Sequence, residues 1–133
     1  MIGLDTNVLV RYLTQDHTEQ AAAANRLIDE QCTAEDPGLV SLVVLCELVW
    51  VLRRAYGCGK ETIANLLEQL LTAAELQVPA EEIAWRALRA YQQGPADFPD
   101  YCILFANREA GCRLTYSFDR KLAHYPGAAI PEA

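Results

Sequence analysis

Short apolar segments alternate with longer helical segments along this chain, and that alternation limits its possible folds more than any other feature. The apolar segments are too short to be helices, whereas the segments between them repeat apolar residues at intervals of three and four. Two parallel strands need a crossover connection, usually a helix, and such helices cover the faces of the sheet. The sequence therefore predicts an α/β fold in which helices flank a central parallel sheet on both faces.

The positions of the elements follow from apolar spacing together with capping and turn residues. Strands are predicted at residues 1–4, 39–40, 76–78 and 113–117, and residues 128–130 can add an edge strand. Helices are predicted at residues 8–13, 18–32, 42–56, 61–74, 81–93, 100–110 and 118–123. No linker, repeat or low-complexity stretch interrupts this series, so one domain is expected over residues 1–133.

Composition narrows the class of protein further. Hydrophobic residues make up 52% of the chain and charged residues 22%, which excludes a disordered or fibrous protein. The net charge of −7 argues against binding nucleic acid through bulk positive charge, but it permits a nuclease whose acids hold metal ions.

Five cysteines without a CxxC pair exclude a disulfide framework and a zinc ribbon. Because the sequence has no basic apolar leader and no apolar run of membrane-spanning length, we expect a cytoplasmic protein without membrane association.

Three aspartates stand where strands end or helices begin. Asp5 follows the first predicted strand, Asp119 follows the strand at residues 113–117, and Asp100 falls in a first helical turn after Pro99. An acid at any of these places can simply cap a helix or interact with its dipole. In an open α/β sheet, however, ligands bind beyond the carboxyl ends of the strands, so the three acids can also converge on one site.

Glu47 lies within residues 42–52, a helical segment that is apolar on nearly every face. We therefore expect its carboxylate to be buried, with either an arginine partner (Arg11, Arg53 or Arg54) or a functional role. If Glu47 faces the same crevice as the aspartates, a cation must lie between these like charges. Carboxylate oxygens without Cys or His favour Mg²⁺ or Mn²⁺, ions that support phosphodiester hydrolysis.

Four segments, taken in order, resemble those of PIN-domain ribonucleases. They are residues 2–10 (IGLDTNVLV), 46–48 (CEL), 97–103 (DFPDYCI) and 117–122 (SFDRKL), so the resemblance covers about residues 2–122. Within that family, the single-domain size is most similar to VapC-type toxins of toxin–antitoxin pairs. Each motif alone is weak, but the ordered set is fairly specific.

The resemblance implies a Mg²⁺- or Mn²⁺-dependent endoribonuclease. Asp5, Glu47 and Asp100 would be the core metal-binding acids, and Asp119 a fourth that completes the site. Asp97 would be an outer acid or a helix cap, and Asp100 is preferred as ligand because Asp100-x-x-Ile103 fits the family pattern. The other implied site residues are the orienting hydroxyls Thr6 and Ser117, the turn residue Asn7, and the RNA-contacting cations Arg11, Arg120 and Lys121. The implied partners are an RNA substrate, a cognate antitoxin and a second copy of the chain.

Two alternative functions remain open from the sequence. A phosphoryl-transfer enzyme would use Asp5 as nucleophile, but Asn7 stands where that class commonly has a second acid. A non-catalytic binding module would keep the fold without activity, which the presence of all four acids disfavours. The sequence also does not separate a toxin from a housekeeping PIN nuclease.

Overall fold

Seven α-helices and four two-residue strands make up the chain, which a computed structural model describes from Met1 to Ala133. The helices are α1 (Thr6–Thr14), α2 (Thr18–Gln31), α3 (Leu42–Arg54), α4 (Lys60–Thr72), α5 (Glu81–Gln93), α6 (Phe98–Glu109) and α7 (Arg120–Ala123). The strands are β1 (Gly38–Leu39), β2 (Leu76–Gln77), β3 (Thr115–Tyr116) and β4 (Ala128–Ala129). None of the helices has the length and apolar character needed to cross a membrane.

The chain forms two compact units, Met1–Glu81 and Glu82–Ala133. In the first unit, β1 pairs in parallel with β2, with Leu39 opposite Gln77. On its other side, Leu39 forms a parallel bridge with Gly3, so the strand predicted at residues 1–4 is reduced to a single bridge. Leu4 and Asp5 are the two residues between this bridge and α1, so Asp5 lies just beyond its carboxyl end.

The core of the first unit comes from the apolar faces of its helices. α1 packs against both α2 and α3. Leu9 of α1 and Leu45 and Leu48 of α3 are completely buried, as are Ile63 of α4 and Val40 after β1. Burying each of these side chains contributes about 1.5–3 kcal/mol, so the relative positions of α1 and α3 are well determined.

In the second unit, β3 pairs in parallel with β4, with Thr115 opposite Ala128. α6 contacts β3 and α7 contacts β4. Aromatic rings fill the interior, where Tyr101 and Phe105 of α6 both meet the ring of Tyr125 edge-on at 5.5 and 5.6 Å. The predicted mixed α/β class with parallel strands is thus confirmed, with the strands in two separate pairs.

An aspartate cap sets the start of three helices and explains where the predicted starts were wrong. Asp5 caps α1, which begins at residue 6 instead of 8. Asp97 caps α6, which begins at 98 instead of 100, and Asp119 caps α7, which begins at 120 instead of 118. In each case the side chain accepts a backbone N–H that the first turn leaves without a partner.

Candidate active site

Asp5 and Glu47 line one pocket in the first unit, with a volume of about 410 Å³. Asp5 reaches it from the start of α1, and Glu47 from the middle of α3. The polar residues that share this lining are Thr6, Asn7, Arg11 and Tyr56. The packing of α1 on α3 therefore brings together five of the residues predicted from sequence.

The carboxylate of Asp5 is exposed and only partly used by the protein. Its Oδ1 accepts a hydrogen bond from the backbone N–H of Thr6 at 2.8 Å, which is the capping bond of α1. A carboxylate offers about four lone-pair positions, so one capping bond leaves most of its acceptor capacity free. Capping and binding a cation are thus compatible roles for Asp5.

Glu47 is exposed, so the expectation that its carboxylate is buried was wrong. The outer face of α3 carries Val43 and Trp50, which are 67% and 57% exposed, and these apolar residues made the helix look buried on every side. Arg11, one of the predicted arginine partners, is paired with Asp16 at 3.2 Å instead. What distinguishes Glu47 is its place beside Asp5 in the pocket.

Thr6 is 7% exposed, and its Oγ1 is buried without a hydrogen-bond partner in the protein. Leaving a buried hydroxyl unsatisfied costs about 1–3 kcal/mol, so such a group normally has a protein group or an ordered water molecule as its partner. Thr6 lines the same pocket as the two carboxylates, so the unpaired hydroxyl belongs to a residue of the pocket wall.

Arg11 is held at the edge of this pocket by a hydrogen-bond network. Its Nη1 donates to Asp16 Oδ1 and to the Tyr56 hydroxyl oxygen, both at 3.2 Å, and its Nε donates to Gln20 Oε1 at 2.7 Å. Tyr56 in turn donates to Asp16 Oδ2 at 2.7 Å. The hydrogen bonds from Tyr56 and Thr14, with the Arg11 charge, lower the pKa of Asp16 to about 2. These bonds leave Nη2 of the guanidinium available for an anion.

In the second unit, Asp97 and Asp100 form a capping box at the start of α6. Asp97 Oδ1 accepts from the N–H of Phe98 at 2.8 Å, and Asp100 Oδ2 accepts from the N–H of Asp97 at 3.1 Å. Both aspartates are half-buried. Asp97 is therefore a helix cap, one of the two roles foreseen for it, and Asp100 lies at the third position of the helix instead of opening it.

Ser117 and Asp119 are joined by the turn that leads into α7. The N–H of Asp119 donates to Ser117 Oγ at 3.0 Å, and Asp119 Oδ1 accepts from the N–H of Lys121 at 2.8 Å. Burial raises the pKa of Tyr101, and the charges of Tyr125, Asp100 and Asp119 raise it further. Asp100 and Asp119 thus both disfavour ionisation of the same phenol.

The model of the PIN domain family matches residues 2–128 of this chain. The chain belongs to the PIN domain family. No curated protein matches it significantly in sequence. PIN domains are generally nucleases and generally use divalent metal ions.

The residues of this PIN domain fit a hard divalent cation. Asp5 and Glu47 offer exposed carboxylate oxygens beside the unpaired Thr6 hydroxyl, and oxygen donors without Cys or His suit Mg²⁺ or Mn²⁺. Within neither unit do three or more His, Cys, Asp or Glu side chains form a ready-made metal cluster.

Sequence reasoning missed Tyr56 and Asp16 as parts of this PIN domain's pocket edge. Tyr56 lies 45 residues from Arg11, so no motif spacing connects the two side chains. Asp16 is only five residues from Arg11, so the sequence already indicated that this acid could pair with the arginine. The predicted RNA-contacting residues Arg120 and Lys121 are both exposed on α7, in the second unit.

Proposed function

We propose that this PIN domain is a Mg²⁺- or Mn²⁺-dependent endoribonuclease that hydrolyses RNA phosphodiester bonds. The observation that carries the proposal is the pocket in which the exposed carboxylates of Asp5 and Glu47 accompany the buried, unpaired hydroxyl of Thr6. A hydroxyl left without a protein partner beside two acids is suited to a hydrated cation, since an ion's water supplies the missing partner.

The carboxylates that we propose as metal ligands are Asp5, Glu47, Asp100 and Asp119. A divalent ion, when bound, activates water for attack and stabilises charge on the leaving oxygen. Asp5 has the geometry for this role, because its capping bond fixes the side chain while most of its acceptor positions stay open. Asp100 is fixed in the same way by the N–H of Asp97.

Arg11 is proposed to position the phosphate. Its guanidinium is held through Nη1 and Nε by Asp16, Tyr56 and Gln20. A phosphate that binds at Nη2 therefore meets a side chain that has already lost its rotational freedom. A held cation binds a phosphate oxygen with a charge-assisted hydrogen bond, about twice as strong as a neutral one. Ser117, Arg120 and Lys121 are proposed to support Asp119 and the RNA backbone.

The test incubates the purified protein with end-labelled structured and unstructured RNAs in Mn²⁺, Mg²⁺ or EDTA. We expect internal cuts with metal and none with EDTA. Asp5→Asn and Glu47→Gln should reduce the cleavage rate at least about 100-fold, as expected when a group that stabilises transition-state charge is lost. Asp29→Asn, which removes an exposed acid from α2, is the matched control and should cleave normally.

Two outcomes would overturn the proposal. A stable phospho-adduct on Asp5 would establish the phosphoryl-transfer alternative. RNA binding without cleavage in either metal would establish a non-catalytic binding module, provided that the folded state is confirmed by a cooperative unfolding transition.

We further propose that the chain is the toxin of a VapBC-type pair, that it forms a homodimer and that a cognate antitoxin binds it. The antitoxin proposal is supported by a groove of about 450 Å³ between α1 and α2, in which a segment of a partner could lie. This groove shares Asn7 and Arg11 with the carboxylate pocket. Its apolar lining includes Val8, Ala23 and Leu27. A basic segment placed there would suit a chain with a net charge of −7. Co-purification of the chain with the product of a neighbouring gene, and loss of cleavage in that complex, would test this assignment.

A further inference from the structure

A second groove lies entirely within the second unit and differs in character from the carboxylate pocket. Its volume is about 680 Å³, and no Asp or Glu lines it. Three of the 11 Lys and Arg residues of this acidic chain contribute to it. The charged and aromatic residues that line this Arg–aromatic groove are Trp85, Arg86, Arg89, Phe105, Arg108 and Tyr125.

Aromatic rings hold two of the three guanidinium groups in place. Arg89 lies over the ring of Trp85 at 5.1 Å, and Arg108 lies over the ring of Phe105 at 5.3 Å. Arg108 also donates from Nη2 to the carbonyl oxygen of Pro126 at 2.7 Å. Arg89 also donates from Nη1 to Gln92 Oε1 at 3.1 Å. Stacking leaves the positive charge of both guanidinium groups in place, so these contacts preorganise the groove for an anion.

The chemistry of the lining specifies the kind of anion. Arginine side chains bind phosphate oxygens, and half-buried rings such as those of Trp85 and Tyr125 provide faces or edges for a planar base. Sites for single-stranded nucleic acid combine these two features, with cations along the backbone and aromatic rings beside the bases. An acidic peptide would use the arginines but has no need of the rings.

We propose that the Arg–aromatic groove binds a single-stranded segment of the RNA on which the protein acts. This inference rests on the proposed ribonuclease function, and it adds a binding site whose residues are all different from those of the carboxylate pocket. The groove supplies a local cationic surface that the net charge of −7 would otherwise deny to RNA.

The test measures fluorescence anisotropy of a fluorescein-labelled ten-nucleotide single-stranded RNA, in EDTA so that binding is separated from cleavage. Arg86→Gln/Arg89→Gln should weaken binding about tenfold and reduce the slope of log affinity against log salt by about 1.4, since each phosphate contact contributes about 0.7 for a single strand. The matched control, Arg26→Gln/Arg113→Gln, removes the same charge from exposed positions outside the groove. It should change the affinity less than about twofold. Arg86→Gln alone, at an exposed position on α5, serves if the double variant does not fold.

Several results would overturn the inference. Equal losses in the test and control variants would show that only overall charge matters, and unchanged binding in the test variant would show that RNA does not use the groove. Binding of a labelled hexaglutamate peptide in place of RNA, with the same dependence on Arg86, would assign the groove to an acidic peptide. Failure of the nuclease proposal is distinguishable, because it appears as absence of Mn²⁺-dependent cleavage by the wild-type protein while the anisotropy result stands.

Discussion

The hydroxyl of Thr6 is a group whose effects on stability and on function can be measured separately. It is buried and unpaired, whereas the other buried threonine, Thr115, accepts a hydrogen bond from the side-chain amide of Asn107 at 3.1 Å. The two residues are 7% and 8% exposed, so their environments differ in hydrogen bonding more than in burial. An unsatisfied hydroxyl retained beside two carboxylates points to a ligand that completes it.

Replacing each threonine with the isosteric valine exposes this difference. Thr6→Val should leave the free energy of unfolding unchanged or raise it by about 1 kcal/mol in urea titrations, because it removes an unsatisfied polar atom. Cleavage by Thr6→Val should fall about tenfold, the equivalent of about 1.4 kcal/mol, because the hydroxyl no longer orients a bound ligand. Thr115→Val should instead lose about 1 kcal/mol of stability. Destabilisation of Thr6→Val with unchanged cleavage would show that Thr6 is only structural.

Asp97 and Asp100 share a capping box but differ in their proposed roles. Asparagine caps helices about as well as aspartate, so Asp97→Asn should stay within about 0.5 kcal/mol of wild-type stability and keep its cleavage rate. Asp100→Asn should also fold but lose cleavage at least about 100-fold, as expected for a lost metal ligand. The measurement is single-turnover RNA cleavage paired with urea unfolding, and the reverse pattern would move the ligand role to Asp97.

The capping aspartates could be located from the sequence because the signal is local. Asp5, Asp97 and Asp119 each stand immediately before a helix, and a helix cap is recognised from a few neighbouring residues. Glu47 shows the limit of that reasoning. Its burial depends on which face of α3 meets the core, and the exposed residues Val43 and Trp50 carry no mark in the sequence that separates them from core residues.

At the scale of elements, hydrogen bonds join α1 to the residue that follows α3. Arg11 of α1 and Asp16 just after it both bond to Tyr56, which lies two residues beyond the end of α3. This network fixes the position of α1 relative to the end of α3 at the edge of the carboxylate pocket. The helices themselves follow from apolar spacing, but this link between them joins residues far apart in the chain and was not visible in any local pattern.

The network predicts a specific loss of stability in acid. The pKa of Asp16 is lowered from 3.8 to about 2, chiefly by the hydrogen bond from Tyr56 and also by Thr14 and Arg11. Between those two values the unfolded chain binds more protons at this site than the folded chain, so the contribution of Asp16 is complete above about pH 4 and is lost as the pH falls towards 2.

Asp16→Asn tests this sign, because it removes the titrating group but keeps a side-chain acceptor. The urea midpoint of the variant should lie below that of the wild type at pH 5, and the difference should shrink steadily down to about pH 2. A difference that is constant over this range, or that grows in acid, would contradict the role assigned to Asp16.

At the scale of the whole molecule, α3 presents an apolar surface that a monomer does not need. Val43 and Trp50 are seven residues apart, about two helical turns, so they lie on one face of α3. We proposed above that the chain is a homodimer, and this face supports it, because a two-fold contact lets the same residues cover each other.

Light scattering at micromolar concentration should give twice the chain mass of 14.8 kDa. Val43→Glu should shift the mass towards that of a monomer, since it places like charges opposite each other across the contact. Ile103→Glu, at a comparably exposed apolar position on α6, is the control and should leave the mass unchanged. A monomeric wild-type protein would contradict the dimer.

The distribution of charge also belongs to this scale. The carboxylates of the proposed active site and the arginines of the Arg–aromatic groove occupy different residues of a chain that is acidic overall. The net charge argued against binding nucleic acid through bulk positive charge, but it could not locate a local cationic surface, because Arg86 of α5 and Arg108 of α6 are far apart in the chain and line one groove only in the folded unit.

Mn²⁺ binding measured by isothermal titration calorimetry tests the central claim most directly, because it reports on the carboxylates without requiring the correct RNA. The wild type should bind Mn²⁺, and Asp5→Asn and Asp100→Asn should each weaken that binding about tenfold or more, since each removes a charged oxygen ligand. Asp29→Asn should bind as the wild type does. Equal Mn²⁺ affinity in the wild type and Asp5→Asn, or no binding by the folded wild type, would contradict the account.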